Sequence, residues 1–137
     1  MPSSCPALIS LLNRSGRRQR HWWLNEGGYP QRIASLLAAP LRATGAPARR
    51  FHEFEQIFEP LPRLAFETLP EAAPQACYRY RLRLVRPETS LCCWRRYPAG
   101  IGWRRRCGPV PLSRFLDRFA TSDGSAAFTL HPADPVG

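Results

Sequence analysis

In QACYRYRLRLVRPETSLCCWRRYP (75–98), Tyr78, Tyr80, Leu82 and Leu84 alternate with Cys77, Arg79, Arg81 and Arg83. A period of two places the first set on one side of a strand and the second set on the other. RPETS has the composition of a turn and LCCWRRY that of a second strand, so the segment predicts a hairpin. In PLSRFLDRF (111–119) the period changes. Leu112, Phe115, Leu116 and Phe119 fall at i, i+3, i+4 and i+7, which predicts an amphipathic helix with Pro111 at its start and Arg114, Asp117 and Arg118 outside.

Upstream, SCPALISLL (4–12) has apolar residues at 8, 9, 11 and 12, which predicts a short helix with Ser4 as cap and Pro6 in the first turn. RSGRRQR then reads as an exposed link, and EGGYP as a turn. A helix is expected from Pro30, with Ile33, Leu36 and Leu37 on one face and Pro40 as its end. RRFHEFEQIFEP (49–60) fits two patterns: Phe54, Gln56 and Phe58 share a strand face, and Phe51, Phe54 and Phe58 share a helix face. Its aromatic content and the Pro that follows favour a strand, with Glu53, Glu55 and Glu59 on the solvent side. After the hairpin a Gly-rich loop is expected before the last helix. SDGSAAFTLHP then gives a turn and a short strand.

The chain has 137 residues, of which 44% are hydrophobic. That is enough for one domain with its own core, and no internal repeat is present. The net charge is +10 and the sequence pI about 10.6, and all twenty basic residues are Arg. Such a chain attracts anions: phosphate backbones, acidic lipid or a small carboxylate. The five Cys are odd in number and scattered, which suits a reducing, cytoplasmic setting. Cys92 and Cys93 would point to opposite faces of a strand, and no CxxC or paired His accompanies them, so no metal site is expected. No run reaches the ~18 apolar residues of a membrane span. The basic cluster follows the apolar stretch Pro6 to Leu12, the reverse of a secretory signal, while the lack of any acid before Glu26 also fits an organelle-targeting leader.

Three Arg on one strand face are either the solvated side of a sheet or a clamp for a carboxylate. CCWRRYPAGIGWRRRC (92–107) interleaves two Trp and one Tyr with five Arg and no acid. Single-stranded nucleic-acid binders use such aromatics for stacking and such Arg for phosphate contact. No RNP-like or KH-like pattern surrounds them, so weak non-specific binding is the form expected. His21, His52 and His131 are isolated, and no nucleophile motif, P-loop or dinucleotide fingerprint is present. An enzyme built on this chain would act by positioning and electrostatics.

HWWLNEGGYPQRIASLL resembles a segment of the chorismate–pyruvate lyase family, with Trp22, Leu24, Glu26 and Arg32 at matching spacing. CYRYRLRLVRPETSLCCWRRYP is similar to that family's central hairpin, and CGPVPLSRFL to its Gly-x-x-Pro-Leu-Gly-x-Phe/Tyr-Leu segment. The resemblance runs from about Trp22 to Leu130. It implies an α+β fold, a single antiparallel β-sheet flanked by helices around a buried pocket. The expected organisation is an N-terminal helix and basic link (1–20), a chorismate lyase-like domain (21–131) and a frayed C-terminus (132–137).

The implied activity is elimination of pyruvate from chorismate to give 4-hydroxybenzoate, a step in ubiquinone biosynthesis, with no metal or cofactor. The implied ligand is a small aromatic or enolpyruvyl carboxylate. Counted back from Pro98 without a gap, the family's strand Arg falls on Arg79; a shorter hairpin places it on Arg81. Backbone N–H groups of Tyr29 and Leu112 are expected to complete the anion site. The family's Thr before the helix is Pro30 here, and its Gly after Pro-Leu is Ser113. Its C-terminal Glu-bearing strand has no counterpart before HPADPVG. No catalytic residue is therefore assigned, and the alternatives are a non-catalytic aromatic-acid-binding module of the same fold or a basic nucleic-acid-associated protein.

Overall fold

ALISLL forms a strand where a helix was expected. In the computed structural model, which describes residues 5–97 and 102–120, Ala7–Leu12 is β1. It runs antiparallel to β2 (Gln19–Leu24) on one side and parallel to β4 (Tyr78–Arg83) on the other. Leu8, Ile9 and Leu11 are all buried. A central strand covered on both faces buries consecutive residues and loses its alternation, so a short run of this kind has the same pattern as a buried helical turn. The expected basic link is the tip of the β1–β2 hairpin, closed by Asn13, whose side-chain Oδ1 accepts the Arg18 N–H at 3.1 Å. The described part of 1–20 thus belongs to the sheet.

The sheet has six strands in the order β3-β2-β1-β4-β5-β6, with β3 at Arg63–Leu64, β5 at Ser90–Tyr97 and β6 at Gly102–Pro111. The β1–β4 pair is parallel and the other pairs are antiparallel, so the sheet is mixed rather than wholly antiparallel. The β4–β5 hairpin forms as predicted, Tyr78 opposite Arg95 through Arg83 opposite Ser90. The run after it is not all loop: β6 pairs with β5 and makes the edge. Three successive Arg hide its alternation, and the ladder slips by one residue on each side of Cys93, as a β-bulge requires. Residues 98–101, the short strand expected before His131 and the segment 132–137 lie outside the described residues.

Three helices pack on one face of the sheet: α1 (Pro30–Thr44), α2 (Phe51–Phe58) and, after a short α3 (Leu69–Ala72), α4 (Leu112–Phe119). Pro40 does not end α1. Standing one turn from the C-terminus it removes a single backbone bond, and the helix stops at Gly45, whose φ of 81° and N–H bond to the Leu41 carbonyl are those of a left-handed cap.

Residues 51–58 are helical, not extended, and Phe51, Phe54 and Phe58 enter the core. The acids favour this outcome. Glu53 accepts the N–H groups of Arg49 and Arg50 at 2.7 and 2.8 Å, which caps the helix and holds its carboxyl below the usual range. Glu55 pairs with Arg18, Arg20 and Arg63. α4 forms as predicted, with Leu112, Phe115, Leu116 and Phe119 buried.

Gly28, in the turn before α1, marks a close approach of two backbone segments. Its N–H donates to the Cys5 carbonyl at 2.7 Å, and its own carbonyl accepts the Tyr80 hydroxyl at 2.6 Å. A Cβ at this position would lie 2.6 Å from the Ala7 Cβ and 2.7 Å from the Cys5 oxygen. Gly28→Ala is expected to cost about 1–3 kcal/mol, measured as a lower urea midpoint at unchanged m. An unchanged midpoint would mean that the turn does not pack against β1.

Candidate functional site

Tyr78, Tyr80 and Leu82 of β4 face the helices, and Arg79, Arg81 and Arg83 face away. The register extends this second face across the sheet: Arg79 stands opposite Trp94 and Arg81 opposite Cys92 on β5, while Trp94 and Arg96 stand opposite Arg105 and Trp103 on β6. Part of the face is covered. The chain returns from β3 to β4 over β2 and β1 through α3 and two 3₁₀ turns, with Phe66 6.2 Å from the His21 ring and Trp23 sharing a depression with Thr68, Glu71 and Gln75. The β4–β6 part carries five exposed guanidiniums, those of Arg79, Arg81, Arg83, Arg96 and Arg105.

Two of these guanidiniums lie over indoles. The guanidinium carbon of Arg81 is 4.9 Å from the Trp94 ring centre and that of Arg79 is 5.6 Å from the Trp103 ring centre. Stacking of this kind fixes a long cationic side chain while leaving its N–H edges outward. Desolvation, and then the neighbouring Arg81 charge, hold the Arg79 guanidinium below its ordinary pKa. An anion placed between the two guanidiniums would relieve that repulsion.

Beneath the covered part, Ser10 Oγ lies 2.7 Å from His21 Nδ1, and His21 Nε2 lies 3.1 Å from Gln19 Oε1. Burial, and then the charge of Arg79, lower the His21 pKa. Neutral His21 therefore accepts from the Ser10 hydroxyl and donates to Gln19. With Ser10 8% and His21 5% exposed, the network satisfies buried polar groups and presents no open nucleophile.

Tyr29 and Leu112 stand on the helix side. Tyr29 caps α1 and meets the Tyr78 ring edge-on at 5.9 Å. The Leu112 N–H donates to the Thr89 carbonyl at 2.8 Å, and the next N–H, that of Ser113, donates to Glu88 Oε2 at 2.8 Å. The anion at the start of α4 is thus the chain's own Glu88 carboxylate. The four residues expected to line one anion site are divided between the two faces of the sheet: Arg79 and Arg81 come together on the open side, and Tyr29 and Leu112 do not join them. Beside the start of α4, Arg14, Arg49, Arg86 and Leu112 border a depression of about 610 Å³.

No protein-family model, curated protein or solved structure matches the chain. Among the described residues no helix is long and apolar enough to cross a membrane, and no three His, Cys, Asp or Glu side chains cluster as metal ligands would. Cys92 and Cys93 point to opposite faces of β5, the first beside Arg81 and the second into the core. The signal for the open face lay in the sequence as two W-x-R spacings, Trp94/Arg96 and Trp103/Arg105, which put indole and guanidinium on one side of each strand. That these two strands pair with each other, and with β4, is what the sequence left out.

Proposed function

We propose that the protein binds single-stranded nucleic acid across the β4–β6 face, without sequence preference. The observation that carries this is the pair of Arg–Trp stacks, Arg79 on Trp103 and Arg81 on Trp94, on a face with three further exposed Arg and no acid among the described residues. The outward N–H edges of the guanidiniums meet phosphates, and a base of any kind stacks on the guanidinium plane over an indole or on the indole once that guanidinium turns to a phosphate. No Asn, Gln, Asp or Glu stands on this part of the face in the described strands. Base edges would be read by such side chains, so recognition is tolerant of sequence.

The test is a titration of the intrinsic Trp fluorescence with an oligothymidylate of about ten nucleotides, beside the same DNA as a duplex and a polyphosphate without bases. Saturable quenching by the single strand is expected, with log affinity falling against log salt at a slope of roughly −2 to −3.5 for three to five phosphates. Equal quenching by polyphosphate would show charge attraction without stacking and overturn the proposal.

A small carboxylate is the second candidate, because the depression of about 610 Å³ beside Leu112 carries Arg14, Arg49 and Arg86 and its size is that of a ligand pocket. This is the form in which the resemblance to chorismate–pyruvate lyase survives, as cofactor-free elimination or as binding of an aromatic acid alone. Saturable binding of 4-hydroxybenzoate at one per chain, or release of pyruvate from chorismate, favours it over the nucleic-acid function.

A further inference from the structure

Cys93 of β5 and Cys107 of β6 stand directly opposite each other, at the point where the ladder slips on both sides. Opposed positions of an antiparallel pair have Cα atoms roughly 4.5–5.5 Å apart, within the span of about 4.4–6.8 Å that a disulfide bridges. Both side chains turn to the helix side of the sheet, Cys93 within the core and Cys107 packed against it. Their surroundings differ. Cys93 is fully buried beside the Tyr80 hydroxyl, whereas Cys107 is half-buried and has the Arg118 and Arg106 guanidiniums near it.

The hydrogen bond from Cys93 first, and then Arg118 and Arg106, bring the Cys107 pKa down to about 7, against burial. Cys93 keeps its own proton, its pKa being raised by the same bond and by burial, so it stays a thiol while Cys107 ionises to solvent. The other buried thiols go the opposite way: burial pushes Cys5 up to about 11 and raises Cys92. Cys107 thus combines a lowered pKa and partial access with a second thiol directly across the ladder.

We propose that Cys107 and Cys93 form a reversible redox pair, in which Cys107 reacts with a hydroperoxide and Cys93 resolves the product. In the first step the Cys107 thiolate attacks the terminal peroxide oxygen. An S–O bond forms and the O–O bond breaks, the sulfur loses two electrons, and the departing alkoxide or hydroxide takes a proton to become alcohol or water. In the second step Cys93 attacks the Cys107 sulfenic sulfur. The S–S bond forms, the S–O bond breaks, and hydroxide leaves with the Cys93 proton as water. A dithiol reductant restores both thiols by exchange. This pair lies on the helix side of the sheet and does not depend on the function proposed for the open face.

The test is to treat the native protein with one equivalent of hydrogen peroxide, block the free thiols and digest with trypsin without reduction. The expected product is the peptide 84–95 joined to 107–114, with a mass loss of about 2 Da relative to the two free peptides. Cys92 shares the first peptide, so Cys92→Ser is expected to keep the link and Cys93→Ser to abolish it, leaving a sulfenic acid on Cys107 that a 1,3-dione traps. Oxidation of Cys107 to sulfinic acid without the link, or a link between Cys5 and Cys77 formed first, would overturn the proposal. A measurement on the unaltered chain guards against variants that misfold. At neutral pH Cys107 is expected to be alkylated about tenfold faster than Cys5 or Cys92, its greater thiolate fraction being partly offset by weaker nucleophilicity, and the rate is expected to be half-maximal near pH 7. Equal rates for the three thiols would sink the idea.

Discussion

Phe54→Ala is expected to destabilise the protein by about 3–5 kcal/mol, a large part of the roughly 5–15 kcal/mol that holds a domain of this size together. Phe54 has no exposed surface and lies in the middle of α2. Its neighbour Phe58 packs against Trp22 of β2 with ring centres 5.1 Å apart. Loss of the ring leaves a cavity that helix and sheet cannot both move to close. The informative control is Gln56→Ala. A strand at 51–58 would put Gln56 on the same face as Phe54 and Phe58; the helix turns it to solvent, where its replacement shifts stability by no more than about 0.5 kcal/mol. Urea midpoints at constant m measure both. A costly Gln56→Ala and a harmless Phe54→Ala would reverse the assignment of this segment.

The triple variant Arg79→Ala, Arg81→Ala, Arg105→Ala is expected to keep its fold and lose most of its affinity for single strands. All three side chains are exposed, on the β4–β6 part of the face that α3 leaves open. Losing three phosphate contacts at about 0.7 released counterions each flattens the salt slope by about 2 and lowers affinity roughly a hundredfold at 0.1 M salt. Trp103→Ala separates charge from stacking. It removes about 1–3 kcal/mol per stacked base and leaves the salt slope unchanged. A triple variant with the parental slope would show that the strand is held elsewhere on the basic surface, beginning with Arg14, Arg49 and Arg86.

β4 and α4 were legible in the sequence because each shows its full period to one dry side and one wet side. Tyr78, Tyr80 and Leu82 alternate with exposed Arg, and Leu112, Phe115, Leu116 and Phe119 follow one helical stripe. β1 was not, because both its faces are covered and its residues carry no wet side to mark a period. In α2 the aromatic spacing satisfied both periods, and what separates them is local: Glu53 reaches back to the N–H groups of Arg49 and Arg50. β6 escaped notice because an edge strand rich in Arg has the composition of a solvated loop. For the site, the sequence placed the three β4 Arg on one side but carried no information on which side the helices take. That choice decides whether Arg79 and Arg81 meet Tyr29 and Leu112, and the helices took the other side.

β6 also bears on how molecules of this protein meet one another. Its outer edge has no strand beside it among the described residues, and over ten residues it is long for an edge. What guards it is charge: the exposed Arg104 and Arg105 keep a second copy from zipping on in register. Such a guard holds only while the charge is unscreened, and a polyanion that neutralises Arg105 from the open face also weakens the barrier along the edge. If the open face takes a polyanion as proposed, ligand capture and self-association are coupled through the same guanidinium, and a loaded protein is freer than an empty one to line up along a shared strand.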